Sequence, residues 1–106
     1  MTKTNAIVYE LTDRDLDRIG LRVARAFKGE ASSITVARNK RDDSLEILVY
    51  GHNEKLLSKI SYNETSFKMQ SSERCKAKKE DVYDAITEYI CNLFGEMSII
   101  SDLMSV

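Results

Sequence analysis

At 106 residues the chain is the size of one domain. Hydrophobic residues make up 42% and charged residues 31%, enough for one small core and too apolar for a disordered tail. Sixteen Lys/Arg against 17 Asp/Glu give a net charge of −1. That excludes a non-specific nucleic-acid binder driven by an overall basic excess, but not a local basic face.

The chain has no proline and four glycines, and no Pro/Gly/Ser-rich linker divides it, so a single domain over residues 1–106 is expected. Ala6-Ile7-Val8-Tyr9-Glu10 reads as a short strand or extended lead-in. Thr12 and Asp15 then fit a capping box, and Leu11 and Leu16 stand where a hydrophobic staple places them. The first helix is predicted to run to Lys28, with Gly29 as its stop. Leu16, Ile19, Val23 and Phe27 form its apolar stripe. Gly20, beside that stripe, costs about 1 kcal/mol against alanine in a helix, which close backbone packing would explain.

Ser32 to Arg38 alternates, with Ile34 and Val36 on one face. Asn39 to Ser44 is a polar turn. Leu45, Ile47 and Val49 alternate with Glu46, Leu48 and Tyr50, which is a hairpin signal. Leu56, Ser58, Ile60 and Tyr62 have strand period, but Leu56, Leu57 and Ile60 also fit a helical turn, and residues 55–62 stay open between the two. Phe67 and Met69 suit a last strand. From about Glu80, Val82, Ile86, Tyr89 and Leu93 make one helical row, and Tyr83, Ile90, Phe94 and Met97 a second. The fold class is therefore α+β, in the order (β)αββββα. An antiparallel meander of about four strands is covered on one face by an N-terminal and a C-terminal helix. The other face carries Thr35, Glu46 and Tyr50, and is expected to be wet.

The single His52 sits in a turn beside Gly51 and Asn53 and reads as a solvated or satisfied turn histidine. No phosphate loop, GxGxxG or HExxH pattern occurs. Asp13, Asp15 and Asp17 fall in the first turns of a helix, where alternate residues diverge and the dipole favours them. No cofactor and no metal site is expected, and the chain reads as a non-enzyme. Cys75 and Cys91 do not make a disulfide framework. Cys75 reads as an incidental surface thiol and Cys91 as core packing. Met1 to Asn5 lacks the apolar run of a signal peptide. No stretch approaches the roughly 18 apolar residues that span a bilayer. A cytoplasmic location with no membrane partner is expected.

Three charged rows remain. Arg14, Arg18, Arg22 and Arg25 line one stripe of the first helix. Asp17 is placed to pair with Arg14 and Asp15 with Arg18, while Arg22, Arg25 and Lys28 lack such a partner. Arginine makes forked contacts to carboxylate and phosphate. Glu80, Asp84 and Glu88 make a solvated acidic row on the last helix. Arg74, Lys76, Lys78 and Lys79 precede that helix. Helix, strands and helix, with lysines at the start of the final helix, resemble the order of double-stranded-RNA-binding domains over roughly residues 12 to 95. The resemblance implies a nucleic-acid-binding module whose lysines face phosphates. The chain departs from that pattern. Glu80 and Asp81 follow the lysines, the alanine-rich final helix is absent, and an extra strand is predicted.

A helix from Glu80 to Leu103 would be about 36 Å long, against a radius of gyration near 13 Å for a domain of roughly 100 residues. Its end would overhang the core, yet Met97, Ile100, Leu103 and Met104 are apolar. Residues 96–106 read as an apolar tail or helix extension that folds back after Gly95 or meets a partner, and homodimerisation is the simplest form of that partner. The combined reading is a small regulatory or inhibitor protein. It binds an unidentified partner protein through Arg14, Arg18, Arg22 and Arg25, with Lys76, Lys78 and Lys79. The alternative is nucleic-acid binding through the same residues.

Overall fold

The computed structural model describes residues 11–39, 41, 43–63 and 66–93 in full, and the helical backbone on to Ser105. The elements are α1 (Asp13–Ala26), β1 (Ser33–Asn39), β2 (Ser44–Tyr50), β3 (Leu56–Tyr62), β4 (Phe67–Ser71) and α2 (Lys79–Ser105). The strands form one antiparallel sheet in the order β1-β2-β3-β4. The predicted α+β meander is therefore the fold. The lead-in strand proposed for Ala6 to Glu10 lies outside the described residues.

The local signals act as their chemistry dictates. Thr12 caps α1: its hydroxyl accepts from the Asp15 N–H at 3.2 Å, and the Asp15 carboxylate accepts from the Thr12 N–H at 2.9 Å. Leu11 and Leu16 are both buried and staple the first turn. Helix α1 ends at Ala26, two residues before its predicted last residue, Lys28. Lys28 at φ 50° and Gly29 at φ 90° are both left-handed, so the backbone leaves the helix one residue before the glycine.

In the open stretch 55–62, Leu56–Tyr62 is strand. Leu56 and Leu57 fit either period, but β3 has β2 on one side and β4 on the other, and both supply hydrogen bonds that a helix there would forfeit. The β2–β3 register shifts at Val49/Tyr50. Register then sets the covered face. Ile34, Val49 and Ser58 align across the sheet, as do Val36, Ile47, Ile60 and Met69. Leu16, Ile19, Val23 and Phe27 of α1 and Val82, Ile86, Tyr89 and Ile90 of α2 close over them. The opposite face carries Thr35, Glu46, Tyr50, Lys59 and Lys68, none of them fully buried.

The helices are antiparallel. Tyr89 of α2 meets Asp15 at the start of α1, while Lys78 and Asp81 share a depression with Ala26 and Lys28 at its end. Helix α2 runs through Gly95 without interruption, so the chain does not fold back there. Its last 12 residues, about 18 Å of helix, extend past the first turn of α1. The side chains of Met97, Ile100, Leu103 and Met104 lie outside the described residues.

Candidate arginine face

Helix α1 has three sides. Its apolar stripe faces the sheet. One flank, with Asp15 and Arg22, turns toward α2. The crest, with Arg14, Arg18 and Arg25, is exposed. Arg22 is half-buried and lays its guanidinium 5.2 Å from the centroid of the Tyr89 ring, within cation–π range. Arg18, Leu21, Arg22, Arg25 and Tyr89 together line a shallow depression of about 280 Å³. Arg14 stands one turn outside it. Leu21 is 64% exposed among the guanidinium groups.

Asp15 anchors this arrangement. Besides capping α1, it accepts a 2.6 Å hydrogen bond from the Tyr89 hydroxyl, across 74 residues of sequence. Burial pushes the Asp15 carboxyl up, but the bonds from Tyr89 and Thr12, with the charge of Arg18, outweigh it and hold the carboxyl below its ordinary value of 3.8. Burial pushes the Tyr89 phenol up from 10.0. The Asp15 bond and charge add to that, and Arg18 offsets part of it.

The expected pairs within α1 do not form. Asp15 spends its oxygens on Thr12 and Tyr89, and Asp17 has no ion pair with Arg14. Among the described residues the one ion pair is Arg38–Asp13 at 3.5 Å. Arg38 lies in β1 on the covered face, opposite Leu45, and its guanidinium donates to the Leu11 carbonyl. It ties the start of α1 to the end of β1.

The lysine cluster divides. Lys76 and Lys78 line a small depression of about 140 Å³ with Lys28, two residues beyond the end of α1, and the Lys76 N–H donates to Glu30 at 2.9 Å. Lys79 stands apart, its ammonium 6.0 Å from the Phe67 ring, beside the packed rings of Tyr62, Phe67 and Tyr83. Arg74 is exposed in a turn. Glu80, Asp84 and Glu88 are all exposed on α2.

His52 is exposed in its turn, with Nε2 3.1 Å from the Gly29 carbonyl oxygen. The two thiols exchange roles. Cys91 is exposed, because it stands opposite the Val82–Ile86–Ile90 stripe of α2, whereas Cys75 is half-buried against the core. Tyr89 and Leu21 are the residues that sequence reasoning missed. Tyr89 falls on the apolar row and reads as core. Leu21 lies off its helix's apolar stripe among arginines, and that misfit was its signal.

The fold and this face define a class: a small two-layer α+β meander domain whose helical layer presents an arginine crest beside a carboxylate crest. No protein-family model, curated protein or solved structure matches the chain. Among the described residues no helix is long and apolar enough to cross a membrane.

Proposed function

We propose that the chain is a small non-enzymatic regulatory or inhibitor protein of the cytoplasm that binds a partner protein through the arginine face of α1. One observation carries the reading. Arg18, Arg22 and Arg25 gather around Tyr89 and the exposed Leu21, and among the described residues no carboxylate lies within ion-pair distance of any of them. Arginine and tyrosine around an apolar centre is the composition of protein-interface anchors. The partner surface is acidic, since guanidinium forks bind carboxylates in pairs of charge-assisted hydrogen bonds.

A nucleic-acid-binding function is the second reading, favoured by the meeting of Lys28 with Lys76 and Lys78 just beyond the end of the arginine row. Two measurements separate them. Titration with duplex RNA and DNA at low salt is expected to show no binding. Binding that weakens steeply as salt rises would put phosphate in the carboxylate's place and overturn the first reading. Capture from native lysate is expected to enrich a protein with the wild type and to lose it with Arg18→Ala/Arg22→Ala/Arg25→Ala. The same proteins recovered with both would also overturn it.

A further inference from the structure

We infer that a depression between the β2–β3 turn and the end of β4 is a binding site for a small organic carboxylate with an apolar body. It measures about 490 Å³, within the roughly 300–1,000 Å³ typical of small-molecule sites. Leu56 and Leu57 supply its apolar floor, and His52, Lys55, Glu73 and Arg74 its rim.

The sequence builds this floor locally. The chain turns over residues 51–55, where the Gly51 N–H donates to the Lys55 carbonyl at 2.9 Å and the Glu54 N–H to the Gly51 carbonyl at 3.0 Å. Glu54 is left-handed, at φ 60°. Past the turn Tyr50 pairs with Leu56 and Val49 with Ser58, so Leu57 is an extra residue on the β3 side. Such a bulge re-aims side chains that strand alternation would otherwise fix. Leu57 packs half-buried against the core, beside Gly51, where a Cβ would stand only 3.2 Å from it. Leu56 stays 46% exposed, so the floor offers apolar area to a ligand.

Charge then selects the ligand. Among the described residues neither Lys55 nor Arg74 has an ion pair. The Glu30 carboxylate, also on the lining, accepts from the Lys76 N–H at 2.9 Å. His52 Nε2 lies 3.1 Å from the Gly29 carbonyl oxygen. A carbonyl only accepts, so Nε2 donates and the ring is held at the rim. Two unpaired cations against one uncommitted carboxylate, Glu73, favour an anionic head. The guanidinium fork of Arg74 matches the two oxygens of a carboxylate. The site lies at the end of the sheet away from Leu11, whose carbonyl is bound by Arg38 at the other end of β1. It is thus remote from the point where residues 1–10 join the domain. It shares no residue with the arginine face and does not depend on the partner proposed there.

Amide NMR titration of the full chain with octanoate, octanol and octylammonium tests the site, since the three probes share one apolar body and differ in the head. Octanoate is expected to bind in roughly the millimolar range, the affinity open to a ligand of about ten heavy atoms. It should move the amide signals of residues 51–57 and 72–74. Octanol and octylammonium are expected to bind several-fold more weakly. Lys55→Glu/Arg74→Glu, at exposed positions, should reverse the order, so that octylammonium binds more tightly than octanoate. Leu56→Ser, also exposed, should weaken all three, and the same spectra report that each variant is folded. Four results would each overturn the inference. One is no octanoate binding up to about 20 mM. Another is octanol or octylammonium binding the wild type as tightly as octanoate. The third is octanoate moving signals elsewhere instead. The last is a head-group order unchanged in the charge-reversed variant, or affinities unchanged in Leu56→Ser.

Discussion

Asp15 does three jobs with one carboxylate. It closes the capping box, compensates the dipole of α1 and receives the Tyr89 hydroxyl. Tyr89→Phe keeps the ring under Arg22 and removes the hydroxyl alone. A hydrogen bond to a charged acceptor contributes about 1.5–3 kcal/mol, so a loss in that range is expected in urea denaturation at neutral pH. The folded carboxyl is held below its ordinary value of 3.8. The stability it confers is therefore present above that value and fades as pH falls below it. The gap between wild type and Tyr89→Phe should narrow in that acid range, and a gap constant with pH would refute the assignment. Arg38 is the second such residue. Its guanidinium is shared between the Leu11 carbonyl and Asp13, while its Nε is buried without a partner among the described residues. Arg38→Met keeps the aliphatic stem and should cost about 1–2 kcal/mol in thermal or urea unfolding.

Among the elements, α1 carries most of the specification, and Gly20 shows how. A methyl group there would meet Val36 at 3.3 Å and Ile34 at 3.7 Å. Val36 is half-buried beside an open groove between α1 and β1 and can yield a few tenths of an ångström. Gly20→Ala should thus be near neutral, a helix-propensity gain of up to about 1 kcal/mol offset by that contact. Gly20→Leu cannot be accommodated without lifting the helix, and should destabilise by about 1–3 kcal/mol, as overpacking does. Equilibrium unfolding of the two variants checks both, and a tolerated leucine would mean that α1 does not sit on β1 as described. The elements were largely legible in advance because their signals are local. Thr12 to Leu16 spell a cap and a staple, and Leu45 to Tyr50 alternate. Leu56 to Tyr62 was not legible, since its leucines and isoleucine satisfy two periods at once.

Across the whole molecule, recognition and stability are largely separable. Arg14, Arg18 and Arg25 are exposed, and surface substitutions clear of special contacts usually change stability by less than about 0.5 kcal/mol. Replacing each by alanine should leave the melting transition nearly unchanged. Arg22→Ala should cost slightly more, about 0.5–1 kcal/mol, because it lies over Tyr89. Partner capture should fall with the arginines while circular dichroism and melting hold. A triple variant that unfolds would mean the face is structural.

The sequence by itself determined the periodicities, the caps and the turns, because each is settled between residues a few positions apart. From them followed the meander and the presence of an arginine crest on the first helix. The tertiary structure alone decided which groups meet across that helical layer. The bond from Tyr89 to Asp15 spans 74 residues, and Arg38 reaches Leu11 across 27. The register of β1 on β2 put Arg38 on the covered face, and the phase of α2 turned Cys91 outward. Such contacts depend on how two faces come together in space, and no spacing within either segment encodes it.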